Sequence, residues 1–169
     1  MRRKLWHSSA FICSATLALV TVGGVAYAQK KKEPEEAKLI STAFLKGTCH
    51  KLIIADANAS EQCDGKILNT NYSDGRSGFH FMTKDGAMVT FSGMNSRKVK
   101  IDADTIIQPI DILIFSYKSK PSHLDAVGEC RFRNPETGRP SPVACTATTK
   151  GGLFEAAFVS DGRPPDVVQ

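Results

Sequence analysis

The sequence predicts an all-β fold, an antiparallel barrel or sandwich with two local disulfides, preceded by a segment that directs export. Three observations predict it. Short runs rich in Ile, Val, Phe and Thr are punctuated by Asp-Gly at 64–65, 74–75, 85–86 and 161–162. No stretch has the 3.6-residue apolar period of an amphipathic helix. Four cysteines beyond the leader, Cys49, Cys63, Cys130 and Cys145, are spaced as two similar pairs.

The leader comes first. Arg2, Arg3 and Lys4 precede an uncharged apolar run from Ala10 to Val25, which ends at the small-x-small triplet Ala26-Tyr27-Ala28. This is the pattern of a secretory signal peptide over residues 1–28. The run is shorter than the roughly 20 apolar residues a spanning helix needs, and the polar segment from Gln29 follows at once, so cleavage is expected and no stable membrane anchor remains. Cys13 is removed with the leader, and the bulky Phe11 and Ile12 before it do not suit a lipid-attachment site. Nothing beyond the paired arginines suggests twin-arginine export, which leaves the general route.

The leader also carries three of the 22 basic residues and no acidic one, so the remainder holds 19 basic against 17 acidic residues. The pI near 9.0 is therefore partly a property of the discarded segment and does not argue for a nucleic-acid partner. Lys30 to Lys32 are offset by Glu33, Glu35 and Glu36, which reads as a disordered linker over 29–37. The β domain is expected over 38–162. A disordered tail over 163–169 is expected because Pro164 and Pro165 stop regular structure.

An even cysteine count in an exported domain suggests bridges. The sequence spacing favours Cys49 with Cys63 and Cys130 with Cys145, each worth about 3 kcal/mol for a loop of this size. A redox or zinc site would need Cys-x-x-Cys or ligand-spaced histidines, and only His50 lies beside a cysteine.

Strands are expected at 40–48, 50–56, 64–72, 77–83, 87–92, 99–107, 110–118, 127–133, 143–149 and 153–160. The meander 66–92 has a register that can be argued. A two-residue turn at Asp85-Gly86 would mix apolar and polar groups on both faces. A three-residue loop, Lys84 to Gly86, instead pairs Phe81 with Val89 and Phe79 with Phe91, and places His80, Met82, Met88 and Thr90 on the opposite face. Each half of the domain has a cysteine-closed hairpin and a strand ending in Asp-Gly, which hints at a duplication.

Catalytic signatures are missing. His50, His80 and His123 are far apart in sequence, with no His-x-His, no His-Glu-x-x-His and no Gly-x-Ser-x-Gly. An enzyme is not expected, and no catalytic residue or cofactor is assigned. One metal reading follows from the register: His80, Met82 and Met88, with Met94 just beyond, offer imidazole and thioether ligands of the kind that suit Cu(I). The plainer reading makes the methionines packing groups. Tyr72, Asp74 and Arg76 offer a polar edge that turn chemistry also explains. Asn58 and Asn71 begin triplets that match glycosylation acceptors.

Gly47-Thr48-Cys49, Tyr72 to Phe79, Phe91-Ser92-Gly93 and Ser160 to Pro165, in this order, give the chain a resemblance to a family of small uncharacterised periplasmic proteins of Gram-negative bacteria. The resemblance implies a compartment and a β fold, and no activity. The expectation is thus a periplasmic or secreted binding or structural module, monomeric, with a protein or small-molecule partner. The alternatives are an inhibitor of a cell-wall-degrading enzyme of the lysozyme-inhibitor kind and a copper carrier. An inhibitor would offer a polar loop, 134–142, whereas a carrier would need an internal pocket.

Overall fold

A computed structural model describes residues 36–136 and 138–169. The expected signal peptide and most of the linker lie outside the described residues. No helix among those described is long and apolar enough to cross a membrane.

The described residues form eleven strands: β1 (Leu39–Ile54), β2 (Ala57–Asn58), β3 (Cys63–Tyr72), β4 (Arg76–Thr83), β5 (Met88–Met94), β6 (Val99–Lys100), β7 (Thr105–Tyr117), β8 (Lys120–Arg133), β9 (Pro142–Thr149), β10 (Gly152–Ser160) and β11 (Asp166–Val168). Eight of them pair antiparallel in the order β1-β3-β4-β5-β7-β8-β9-β10. Pairing of β10 with β1 closes the barrel. Closure resolves the choice between barrel and sandwich, and it leaves the long strands no continuous free edge.

Alternation fills the inside. Leu52, Ile67, Phe81, Val89, Phe91, Leu113 and Phe158 are fully buried. The Phe81 and Phe91 rings meet edge to face at 5.8 Å. The β4–β5 register is the one the facing argument selects: Phe79 opposes Phe91, Phe81 opposes Val89, and Gly86 at φ +85° completes a three-residue loop. At one end the lining turns polar. Gln108 is fully buried, and its amide nitrogen donates to the Ser77 and Gly93 carbonyls at 3.1 and 3.2 Å. Ser77 Oγ bonds the Asn95 and Gln108 amides at 2.8 and 3.1 Å. Asn71 extends the chain to Asn95 and Ser41, so the Asn71 amide is engaged in structure.

Both expected disulfides form. Cys49 and Cys63 have Cα atoms 5.9 Å apart, and Cys130 and Cys145 4.0 Å apart. Cys130 and Cys145 are direct cross-strand partners on β8 and β9, and both are buried. The bridges are not equivalent: one spans the first and second barrel strands, the other the sixth and seventh. Two four-strand halves would place them at matching positions, so the disulfides do not support a duplication.

Several expectations need correction. The strands expected at 40–48 and 50–56 are one strand, β1, which changes neighbours midway instead of turning. Those expected at 99–107 and 110–118 become the two-residue β6 and the long β7, which runs through Pro109. Proline is tolerated there because the β5–β7 ladder begins only at Ile112, so the strand needs one ladder fewer at that point. β8 begins at Lys120, earlier than expected, because a tight turn at Lys118-Ser119 returns the chain at once. The tail expected to be disordered forms β11: Val168, Val167 and Asp166 pair with Thr42, Ala43 and Phe44. Pro164 and Pro165 end β10's course but leave the next three residues free to pair with β1.

Candidate functional site

The length of β1 creates the most distinctive surface feature. Its first half pairs with β3 as far as Lys46 opposite Lys66, and from Gly47 opposite Ser160 it pairs with β10. Gly47 makes the change possible, since a Cβ there would meet Val159 O at 2.1 Å and Ser160 Cα at 2.7 Å. Beyond Lys66, the β3–β4 register is also irregular between Ile67 and Cys63, and β3 swings away from β1. The Cys49–Cys63 bridge then ties the two diverging strands together again.

The result is an open groove of about 500 Å³ that runs from the Lys46–Lys66 rung to Val159 and Ser160 of β10. Gly47 and Gly65 line it, and so do Thr48, His50, Asp64 and Asp161. Thr48, Cys49 and Lys51 of β1 have ladder partners on the β10 side alone, with His50 out of register between them, until Leu52 is met by Ser60 Oγ and the Ala59 N–H. Lys46 and Lys66 are both exposed, and Lys46 makes a loose contact with Asp166 at 3.7 Å. Such a site offers backbone hydrogen-bonding groups, two ammonium groups and two carboxylates to an extended polar ligand.

The metal candidates behave differently. His80, Met82 and Met88 do share the outer face, and Met82 opposes Met88 across the ladder. Both imidazole nitrogens are taken, however: Nε2 lies 2.7 Å from Thr70 Oγ1 and Nδ1 2.8 Å from Thr90 Oγ1. Burial lowers the His80 pKa to about 4, which keeps the ring neutral. A ligand role would require breaking one of these bonds. No cluster of three His, Cys, Asp or Glu suited to a metal occurs among the described residues.

The three histidines among the described residues sit on three different strands, with His50 on β1, His80 on β4 and His123 on β8. The polar edge at Tyr72 to Arg76 is internally spent: Asp74 Oδ1 accepts from the Arg76 N–H, and the Arg76 guanidinium pairs with Asp111 at 2.6 Å. Sequence reasoning missed the groove altogether. Its one readable trace was Gly47 inside an otherwise β-prone run.

Comparison with protein-family models, with curated proteins and with solved structures returns no match.

Proposed function

We propose that the chain is an exported binding module that takes an extended segment of a partner protein into the seam groove. The observation that carries this reading is the one-sided ladder of β1 between the Lys46–Lys66 rung and the Cys49–Cys63 bridge. A strand with a free side recruits backbone from a partner, and the lysines select acidic side chains along it. The two disulfides fit an oxidising compartment outside the cytoplasm.

A carrier of small molecules in the barrel is disfavoured by volume. The lumen is filled by aromatic and aliphatic side chains, and the void at its mouth measures about 120 Å³, against the roughly 300–1,000 Å³ of drug-sized sites. Native mass spectrometry of the protein recovered from its own compartment tests the reading. A protein adduct lost in a Lys46→Glu/Lys66→Glu variant is expected, and the absence of any protein adduct, or one that survives those changes, contradicts it.

A second reading, inhibition of a cell-wall-degrading enzyme, is favoured by one observation. The exposed loop after β8 is braced: Gly138 N donates to Gly162 O at 2.8 Å, Ser141 N donates to Ser160 Oγ at 2.8 Å, and Arg139 reaches Asp104 at 2.9 Å. A pre-ordered polar loop loses little entropy on docking. Loss of lysozyme activity on adding the protein, reversed by Arg139→Ala, supports this reading, and unchanged activity removes it.

A further inference from the structure

The outer wall of the barrel is uneven in character. One rung of the ladder runs Phe44, Leu68, His80, Thr90 and Ile114 across β1, β3, β4, β5 and β7, each opposite the next. All five point outward, because their chain neighbours Leu45, Ile67, Phe81, Val89 and Leu113 are buried inside. In the rungs beside it Met82 opposes Met88 and Ser92 opposes Ile112, so these rungs add no charge on β4, β5 or β7. The opposite wall differs, since its outward positions carry the ion pairs Lys51–Glu155 and Glu129–Arg131.

The polar groups at the centre of the uncharged face are already satisfied. The His80 ring lies between Thr70 and Thr90, bonded to the two hydroxyls at 2.7 and 2.8 Å, and it is neutral. Covering the face therefore strands neither ring nitrogen. Leaving it open keeps Leu68, Met82, Met88, Ile112 and Ile114 partly in water, and Phe44 is 39% exposed.

The two ends of the face differ in charge. Beside the β4–β5 and β7–β8 turns, Lys66, Lys84, Lys118 and Lys120 outnumber Asp64 and Asp85. At the other end Asp74, Asp111 and Asp125 outnumber Arg76 and Arg97, both of which pair with Asp111. The β5–β7 connection adds Lys98 and Lys100 there, balanced by Asp102 and Asp104.

We infer that this face is a self-association surface: two copies stack it face to face with their strands antiparallel, so that the Lys66 end of one lies over the Asp74 end of the other. A charged partner would leave its charge against an uncharged face, whereas a second copy brings the same apolar rung and the opposite charge at each end. A closed barrel curves away on both sides of such a contact, so only strands around β4 and β5 meet, and the pair is weak and reversible.

Sedimentation equilibrium of the unaltered protein from about 10 µM to about 1 mM tests it. The mean mass is expected to rise toward that of a dimer, with the Met82 and Met88 methyl NMR signals moving over the same range and the Val127 methyls fixed. Raising salt from about 50 to about 500 mM should weaken association about threefold, because the end charges attract. Met82→Glu should leave a monomer, and Val127→Glu on β8, outside the face, should change nothing. The inference is overturned if the mass stays that of a monomer at about 1 mM, if association does not weaken with salt, or if the concentration-dependent shifts fall on Val127. It is equally overturned if the protein stays monomeric and the methionine signals move only on adding phosphatidylethanolamine–phosphatidylglycerol vesicles, which would give the face to a membrane. These readings need no variant, so the outcome is decided even if a variant does not fold.

Discussion

Lys46 and Lys66 face each other across the last rung of the β1–β3 ladder, two exposed cations where the barrel seam begins to open. Like charges directly opposite on a sheet are unfavourable, and Lys66 has no acidic partner among the described residues. Replacing Lys66→Glu should therefore stabilise the free domain by up to about 0.5 kcal/mol, discounted for solvent exposure, while weakening partner capture. Urea unfolding checks the first effect, and native mass spectrometry checks the second. A variant that gains stability and keeps its partner would show that the pair is unrelated to binding.

His80 predicts a pH dependence. Its ring is held neutral between Thr70 and Thr90, with a pKa lowered from 6.5 to about 4 by burial. The unfolded chain takes up a proton as pH falls through 6.5, whereas the folded chain resists until about pH 4. Stability is then fully present above pH 6.5 and falls as pH drops toward 4, by at most about 3 kcal/mol. His80→Gln should flatten this dependence, measured as the urea midpoint at pH 7.5 against pH 4.5. An equal loss in both proteins would place the acid sensitivity elsewhere.

The two disulfides should differ in reactivity. Cys130 and Cys145 are buried inside the barrel wall, whereas Cys49 is half-buried at the groove. Under native conditions a thiol reductant should open Cys49–Cys63 first. Cys130–Cys145 should follow only on global unfolding, since attack requires access to a sulfur. Alkylation of the partly reduced protein followed by peptide mass spectrometry reads the order. Loss of either bridge should cost about 3 kcal/mol.

The β7–β8 turn carries avoidable strain. Lys118 and Ser119 adopt φ +49° and +60°, a region in which most side chains are crowded. Asparagine and glycine suit this turn, so Lys118→Asn with Ser119→Gly should raise stability by about 0.5–1 kcal/mol. A thermal melt checks the gain.

How much of this was legible in the sequence depends on the range of the signal. The register of the β4–β5 hairpin was readable, because Phe79, Phe81, Val89 and Phe91 must share a face and a one-residue slip would split them. The cysteine pairing was readable because near-equal spacing suited local bridges. Long-range pairing was not. Apart from Gly47, nothing local marks that β1 serves β3 up to Lys46 and β10 from Gly47, or that Asp166 to Val168 would return to Thr42 to Phe44. The groove is a product of that change of neighbours, so it has no motif. The cavity at the mouth is built likewise from residues of β1, β3, β4, β8 and β9 that only closure brings together.

The most direct test of groove binding is site-specific photo-crosslinking in the native compartment, with the photoreactive residue placed at Thr48 in the groove or at Thr146 on the outer face of β9. A discrete protein adduct from position 48, absent from position 146 and lost on Lys66→Glu, is the predicted result. Equal adducts from both positions, or none from position 48, would contradict it.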